Sequence, residues 1–202
     1  ISSSGVLTFT PTANANGSAN VTVSLSDNGG TANSGADDTS PNQTFTITVT
    51  SVNDAVTLTS AIANYTVLED ASAHTVADLD NIFGDIDILN GDATALQTLT
   101  YSVVSNTNSG LATPSIDGSG VLTVSYTSDD NGSATITIRA NDSNGSTLDE
   151  SFTVTVTAVN DVVTLTSAIA DYSVDEDATA TTVADLDNIF DDIDLTNGDP
   201  SA

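Results

Sequence analysis

The chain has 202 residues, a formal net charge of −27, one Lys or Arg against 28 Asp or Glu, and no Cys, Met or Trp. A single arginine cannot neutralise phosphates, which excludes nucleic acid and anionic lipid surfaces as partners. Without Cys or Lys there is no disulfide frame, thiolate chemistry, Cys-ligated zinc site or Schiff base. The 38% of hydrophobic residues falls in strand-length blocks, so the acidity does not signal disorder. No apolar run approaches the length of a membrane span. Of the 28 acids 25 are Asp, and so many short-armed carboxylates need solvent salt or divalent cations as counter-charge.

In chain order, GVLT at 5–8, NGSA at 16–19 and FTITVT at 45–50 read as strand and turn material. Between the last two lies a stretch rich in Gly, Ser, Asn and Asp, roughly 29–42. It lacks apolar residues and is expected to be a surface protrusion. Short apolar segments follow at 56–58 and 65–67. Segment 78–83 does not alternate; it reads as one helical turn, capped by Asp78 and Asp80, that plugs the sandwich with Leu79, Ile82 and Phe83. Alternation resumes at 99–103, 111–116, 121–124, 134–138 and 152–156, with turn clusters NTNSG, DGSG, DDNG and NDSNG between them. About seven short strands in about 100 residues is the signature of a two-sheet antiparallel sandwich, and the loop order suits a Greek key.

The chain repeats itself. Residues 52–92 match 159–199 at 32 of 41 positions, with an offset of 107. GVLT and NGSA return at 120–123 and 131–134, offset by 115, and FTITVT returns as FTVTVT at 152–157, offset by 107. The protrusion at 29–42 absorbs the difference. The reading is therefore the back half of one unit (1–54), a complete unit (55–161) and the front of a third (162–202), as in a window on a linear array. In the two partial units, Val6, Val21, Val23, Phe45, Ile47 and Val49 are expected to lack cover within the chain. A neighbouring copy or adjacent repeat would supply it. The junction 155–166 contains no Gly or Pro, so one unit runs into the next with little slack.

Acidic motifs sit at fixed places in the unit. Asn53 and Asp54 lie at the junction, Asp85 and Asp87 lie 31 and 33 residues after Asp54, and Asp142 opens the turn after the penultimate strand. In a Greek-key sandwich these loops meet at the end facing the preceding unit. Four carboxylates and nearby carbonyls then suit calcium, which takes roughly six to eight hard oxygens. The D-x-D spacing fits an extended segment whose alternate side chains point the same way. The segment at 85–92 is no EF-hand loop, because Leu89 takes an oxygen-ligand position and no Glu closes it.

The junction VND, the D-x-D and the A-x-D-x-x-G turn resemble the calcium motifs of cadherin repeats. In order and spacing they are most similar to the bacterial cadherin-like tandem repeats of large secreted or surface adhesins. That resemblance implies calcium, one or two ions per junction, stiffening a rod of all-β, cadherin-like sandwiches. It implies Asn53, Asp54, Asp85, Asp87 and Asp142 as ligands at the first junction. At the second it implies Glu69, Asn160, Asp161, Asp192 and Asp194. The mid-domain acidic motif of cadherins has no clear match.

Two functions follow as expectations. One is a structural extender in an extracellular or cell-surface fibre or adhesin; the other is an adhesion module whose repeats recognise a glycan or a partner cell. Few exposed aromatics and one arginine favour the first. No enzyme is expected, since repeated identical units suit length or avidity and no nucleophile–base set recurs. The lone His74 carries no assigned role, and Arg139 is expected to pair with a neighbouring acid.

Overall fold

The computed structural model describes residues 1–27, 40–90 and 97–197. Most of the protrusion expected at 29–42 lies outside them. β1 (Gly17–Val23) and β2 (Gln43–Val49) form an antiparallel hairpin. The complete unit follows. It comprises β3 (Thr57–Leu58), β4 (Tyr65–Leu68), β5 (His74–Asp78), β6 (Phe83–Gly84), helix α1 (Ile86–Leu89), β7 (Thr100–Asn106), β8 (Ala112–Ile116), β9 (Val121–Tyr126), β10 (Gly132–Asn141) and β11 (Thr147–Thr157). Beyond it lie β12 (Thr164–Leu165), β13 (Phe190–Asp191) and helix α2 (Ile193–Asn197).

The unit is an all-β sandwich of two sheets, ordered β4-β11-β10-β7 and β5-β9-β8. The chain changes sheets between β4 and β5, β5 and β7, β7 and β8, and β9 and β10. Alternation decides which side chains face inward. Along β10 the pleat buries Ala134, Ile136, Ile138 and Ala140, and along β11 it buries Phe152, Val154 and Val156. Ala112, Leu122 and Val124 complete the core from the other sheet, with Leu111 in the turn just before β8. The 3-10 turn Leu79–Asn81 closes one end; its N-cap Asp78 accepts from Asp80 N, while Asp80 accepts instead from the Tyr101 hydroxyl. Leu79, Ile82 and Phe83 are buried beneath it.

Three expectations change. The sheets are not wholly antiparallel, because β4 joins the edge of β11 in parallel. His74–Asp78 is a strand that sequence reading leaves unassigned ahead of the helical turn; a register shift between Thr75 and Ala77 breaks its period. Asp85 and Asp87 do not share one extended run. Asp85 is extended, but Asp87 sits in the first turn of α1 and gives its N–H to Asp85 Oδ1 at 2.9 Å. An Asp before a short apolar run caps a helix more readily than it continues a strand.

The partial units differ from the complete one in an orderly way. β1 and β2 pair in the same register as β10 and β11, pair for pair at the repeat offsets. β12 and β13 reproduce the small β3–β6 ladder. None of the described residues 1–27 and 40–50 is fully buried. Val21, Val23, Ile47 and Val49 are half-buried, and Phe45 and Val6 are exposed. Val6 is not an inward position. Its counterpart Val121 is half-buried, whereas Leu122 and Val124 are in the core, so Leu7 and Phe9 hold the inward phase.

Candidate metal centres at the unit junctions

The two junctions share their linker hydrogen bonds, while acidic groups close enough to hold one ion are found, among the described residues, at the second. At the first, Asp54 N–H donates to Asp87 Oδ2 at 2.8 Å, and Asn53 Nδ2 reaches Asp54 O at 2.9 Å and Asp142 Oδ2 at 3.1 Å. At the second, Asp161 N–H donates to Asp194 Oδ2 at 2.8 Å, Asn160 Nδ2 reaches Asp161 O at 2.8 Å, and Asp194 N–H donates to Asp192 Oδ1 at 3.1 Å. The linker backbone thus orients the downstream carboxylates, and the Asn side chain folds back to hold the linker.

The carboxylates are unusually hidden. Glu69, Asp85, Asp87, Asp142 and Asp194 are all buried, as is Gln97. Asp142 Oδ1 is held by the N–H groups of Asn144 and Ser146 at 2.9 and 2.7 Å. Glu69 accepts from Val159 N–H, which fixes it against the linker. Two carboxylate oxygens, Asp85 Oδ2 and Asp161 Oδ2, are buried with no hydrogen-bond partner among the described residues. A buried, unpaired carboxylate oxygen is costly in a sandwich with one arginine. That arginine is engaged elsewhere, in a two-pronged pair with Asp149 at 2.7 and 2.8 Å.

At the second junction, carboxylate oxygens of Glu69, Asp161 and Asp194 lie within 4.8 Å of one another, and so do those of Asp70, Asp129 and Asp161. Asp161 belongs to both groups. Sequence reading does not find Asp70 or Asp129, nor Gln97, whose amide donates to Asn53 Oδ1 at the first junction. Asp70 and Asp129 both take left-handed backbone, φ 61° and 54°, as tight turns demand. Asn14, the repeat counterpart of Asp129, does the same at φ 54°. Asp129 lies in the DDNG turn of the complete unit, grouped with Asp70 and Asp161. Every donor in these groups is a hard oxygen, and no nitrogen or sulfur ligand is among them. That set fits calcium or magnesium and not zinc or copper.

The charges act on one another. The Asp161 carboxyl is pushed above the ordinary Asp range, first by burial and then by the charges of Asp129, Asp194, Asp70 and Asp192. Asp142 is also pushed upward by burial, but hydrogen bonds from Asn53, Ser146, Asn144 and Gly145 outweigh this and hold it low. The signs are opposite. Without a cation, Asp161 favours the folded junction below the ordinary Asp range, and that contribution is lost as pH rises through its raised value. Asp142 contributes above the ordinary range and loses its contribution as pH falls through its depressed value. Carboxyl NMR titration in chelator is expected to place the Asp161 midpoint above the ordinary Asp value of 3.8. Added calcium should bring it down. A midpoint unmoved by calcium would separate Asp161 from any cation.

No protein-family model and no curated protein matches the sequence. Among solved structures, protocadherin gamma B7 extracellular cadherin domains 1–4 are similar at 20% identity and TM-score 0.48, over 82% of this chain and 38% of that one. Protocadherin gamma B2 extracellular cadherin domains 1–5 are similar at 17% identity and TM-score 0.47, over 74% and 28%. An endo-fucoidan hydrolase from glycoside hydrolase family 107 is similar at 16% identity and TM-score 0.34, over 70% and 19%. The chain thus spans well under half the length of each of these structures. No helix among the described residues is long and apolar enough to cross a membrane.

Proposed function

We propose that this chain is a non-enzymatic, calcium-stiffened extender, a run of repeats in an extracellular or cell-surface fibre or adhesin. The observation that carries the reading is the duplicated junction. At each one a linker N–H holds a downstream carboxylate, the linker Asn folds back on the linker carbonyl, and an aspartate oxygen is left buried without a hydrogen-bond partner among the described residues. Glu69, Asp70 and Asp129 come from the upstream unit, Asp161 from the linker, and Asp192 and Asp194 from the downstream unit. At the first junction the set is Asn53, Asp54, Asp85, Asp87 and Asp142. A calcium ion supplies the missing positive charge and accepts oxygens in a flexible geometry. Ligands drawn from both sides of a linker without Gly or Pro would oppose bending there.

Small-angle scattering of the full chain tests this. An extended, narrow distribution of dimensions is expected with calcium, and a broader, more bent one with chelator. Magnesium should substitute poorly, because it dehydrates reluctantly and demands octahedral geometry. Identical scattering profiles with calcium and with chelator would overturn the reading.

A further inference from the structure

Oxidation of this chain has few places to end. There is no Cys, Met or Trp, so the readily oxidised side chains are four Tyr and one His. Three of those five meet in the complete unit. Tyr65 opens β4 in one sheet, Tyr126 closes β9 in the other, and His74 opens β5. The Tyr126 hydroxyl donates to the Tyr65 hydroxyl at 3.0 Å. The Tyr65 ring packs against His74 and Phe152, with centroids 4.8 and 6.1 Å away, which holds it in place. Burial pushes both phenols above their ordinary value, so each keeps its proton at neutral pH.

The other two tyrosines are placed differently. Tyr101 gives its hydroxyl to Asp80 at 2.7 Å, and Tyr172 is exposed. Neither is hydrogen-bonded to a second phenol among the described residues. The repeat does not keep the pair, since Pro11 stands at the counterpart of Tyr126. Its position is mechanical. Tyr65 and Tyr126 are 61 positions apart in the chain. β4 is held at the sheet edge by four parallel residue pairs to β11, and the chain leaves it for the other sheet. A bond between Tyr65 and Tyr126 ties that edge strand to β9. Without Cys or Lys the chain has no disulfide or lysine isopeptide with which to make such a tie.

We propose that Tyr65 and Tyr126 are the site of an oxidative cross-link, a dityrosine staple between the two sheets, made by a one-electron oxidant that draws on hydrogen peroxide. Each phenol gives up one electron and its hydroxyl proton. The two phenoxyl radicals join through a carbon–carbon bond between the ring positions next to the hydroxyl carbons. The hydrogen on each bonded carbon then moves to the oxygen and restores both phenols. One peroxide takes the two electrons and two protons and leaves as two waters. Because the bonding positions adjoin the hydroxyl carbons, the 3.0 Å hydroxyl contact brings them to neighbouring ring edges. The staple uses none of the junction carboxylates and no cation.

The full chain, kept dilute, is treated with a peroxidase and hydrogen peroxide and then cut before its aspartates. Such a cut puts each tyrosine on its own peptide: 54–69 holds Tyr65, 92–116 holds Tyr101, 117–128 holds Tyr126 and 171–174 holds Tyr172. Mass spectrometry should find 54–69 joined to 117–128, two hydrogens lighter than their sum, at least tenfold above any other tyrosine pair. Tyr126→Phe should abolish that species, and Tyr101→Phe should leave its yield unchanged. The parent chain oxidised in urea should lose the preference, which ties it to the folded contact without any substitution. The linked chain should unfold roughly 10–20 °C above the unlinked one, by the loop-closure argument that applies to disulfides. No linked peptide, equal yields of pairs that include Tyr101 or Tyr172, the same preference in urea, or a linked chain with an unmoved midpoint would overturn the proposal. Calcium plays no part in this readout, so its failure leaves the scattering result intact, and the converse holds.

Discussion

Calcium at a thousandfold excess over its dissociation constant is expected to raise the unfolding midpoint of the complete unit by on the order of 20 °C over chelator. A ligand bound only by the folded state at that excess adds about 4 kcal/mol. A unit of about 100 residues moves roughly 4–8 °C per kcal/mol. The cation-free state begins at a disadvantage, with 28 acids against one base and five acidic side chains buried at the junctions. Calorimetry in calcium, in chelator and in chelator with sodium chloride at matched ionic strength separates the causes. Simple screening of surface charge would make sodium as effective as calcium.

Asp161→Asn sharpens that experiment, because its two effects have opposite signs. Without cation, the variant removes a carboxylate crowded by Asp129, Asp194, Asp70 and Asp192, so the midpoint should hold or rise slightly. With calcium, it removes the oxygen charge common to both acidic groups, so much of the calcium gain should vanish. Asp87→Asn is the companion at the first junction, since the amide oxygen can still accept from Asp54 N–H. Equal calcium gain in the parent and in both variants would remove these residues from the site.

Local pattern carried much of this structure, and spatial assembly carried the rest. Phe152-Thr-Val154-Thr-Val156 announces its buried face because a strand has a period of two, and β11 buries those three residues. The 3-10 turn is legible from Asp78 before Leu79. The first-junction acids can be named because a repeat fixes their spacing. Asp70 and Asp129 cannot be found this way. They are 59 positions apart in the chain and meet Asp161 only after β4 has joined β11 in parallel. The hydrogen bond from Asp129 N–H to Asp70 Oδ1 at 3.2 Å ties the two turns together, and no sequence period encodes it. β5 escapes for a related reason: its bulge removes the alternation that would have marked it.

The same two phenylalanines, read in two settings, give the last and largest contrast. Phe152 in β11 is 1% exposed and stacks on Tyr65, with ring centroids 6.1 Å apart. Phe45 holds the equivalent place in β2 and is 40% exposed. Truncating a buried Phe to Ala costs about 3–5 kcal/mol through lost transfer energy and the cavity left behind. Domains of this size have about 5–15 kcal/mol to lose, so Phe152→Ala should bring the complete unit close to unfolding. Phe45→Ala removes a ring that water already reaches, in a hairpin too small to stand as a domain of its own. At high dilution it should change the main transition by about 0.5 kcal/mol or less. Tyr65, Tyr101 and Tyr126 all lie in the complete unit, so urea unfolding followed by tyrosine emission reports mainly on that unit. If Phe45→Ala is as damaging as Phe152→Ala in dilute solution, the face of β1 and β2 is already covered within one chain, and the half-unit would need another architecture.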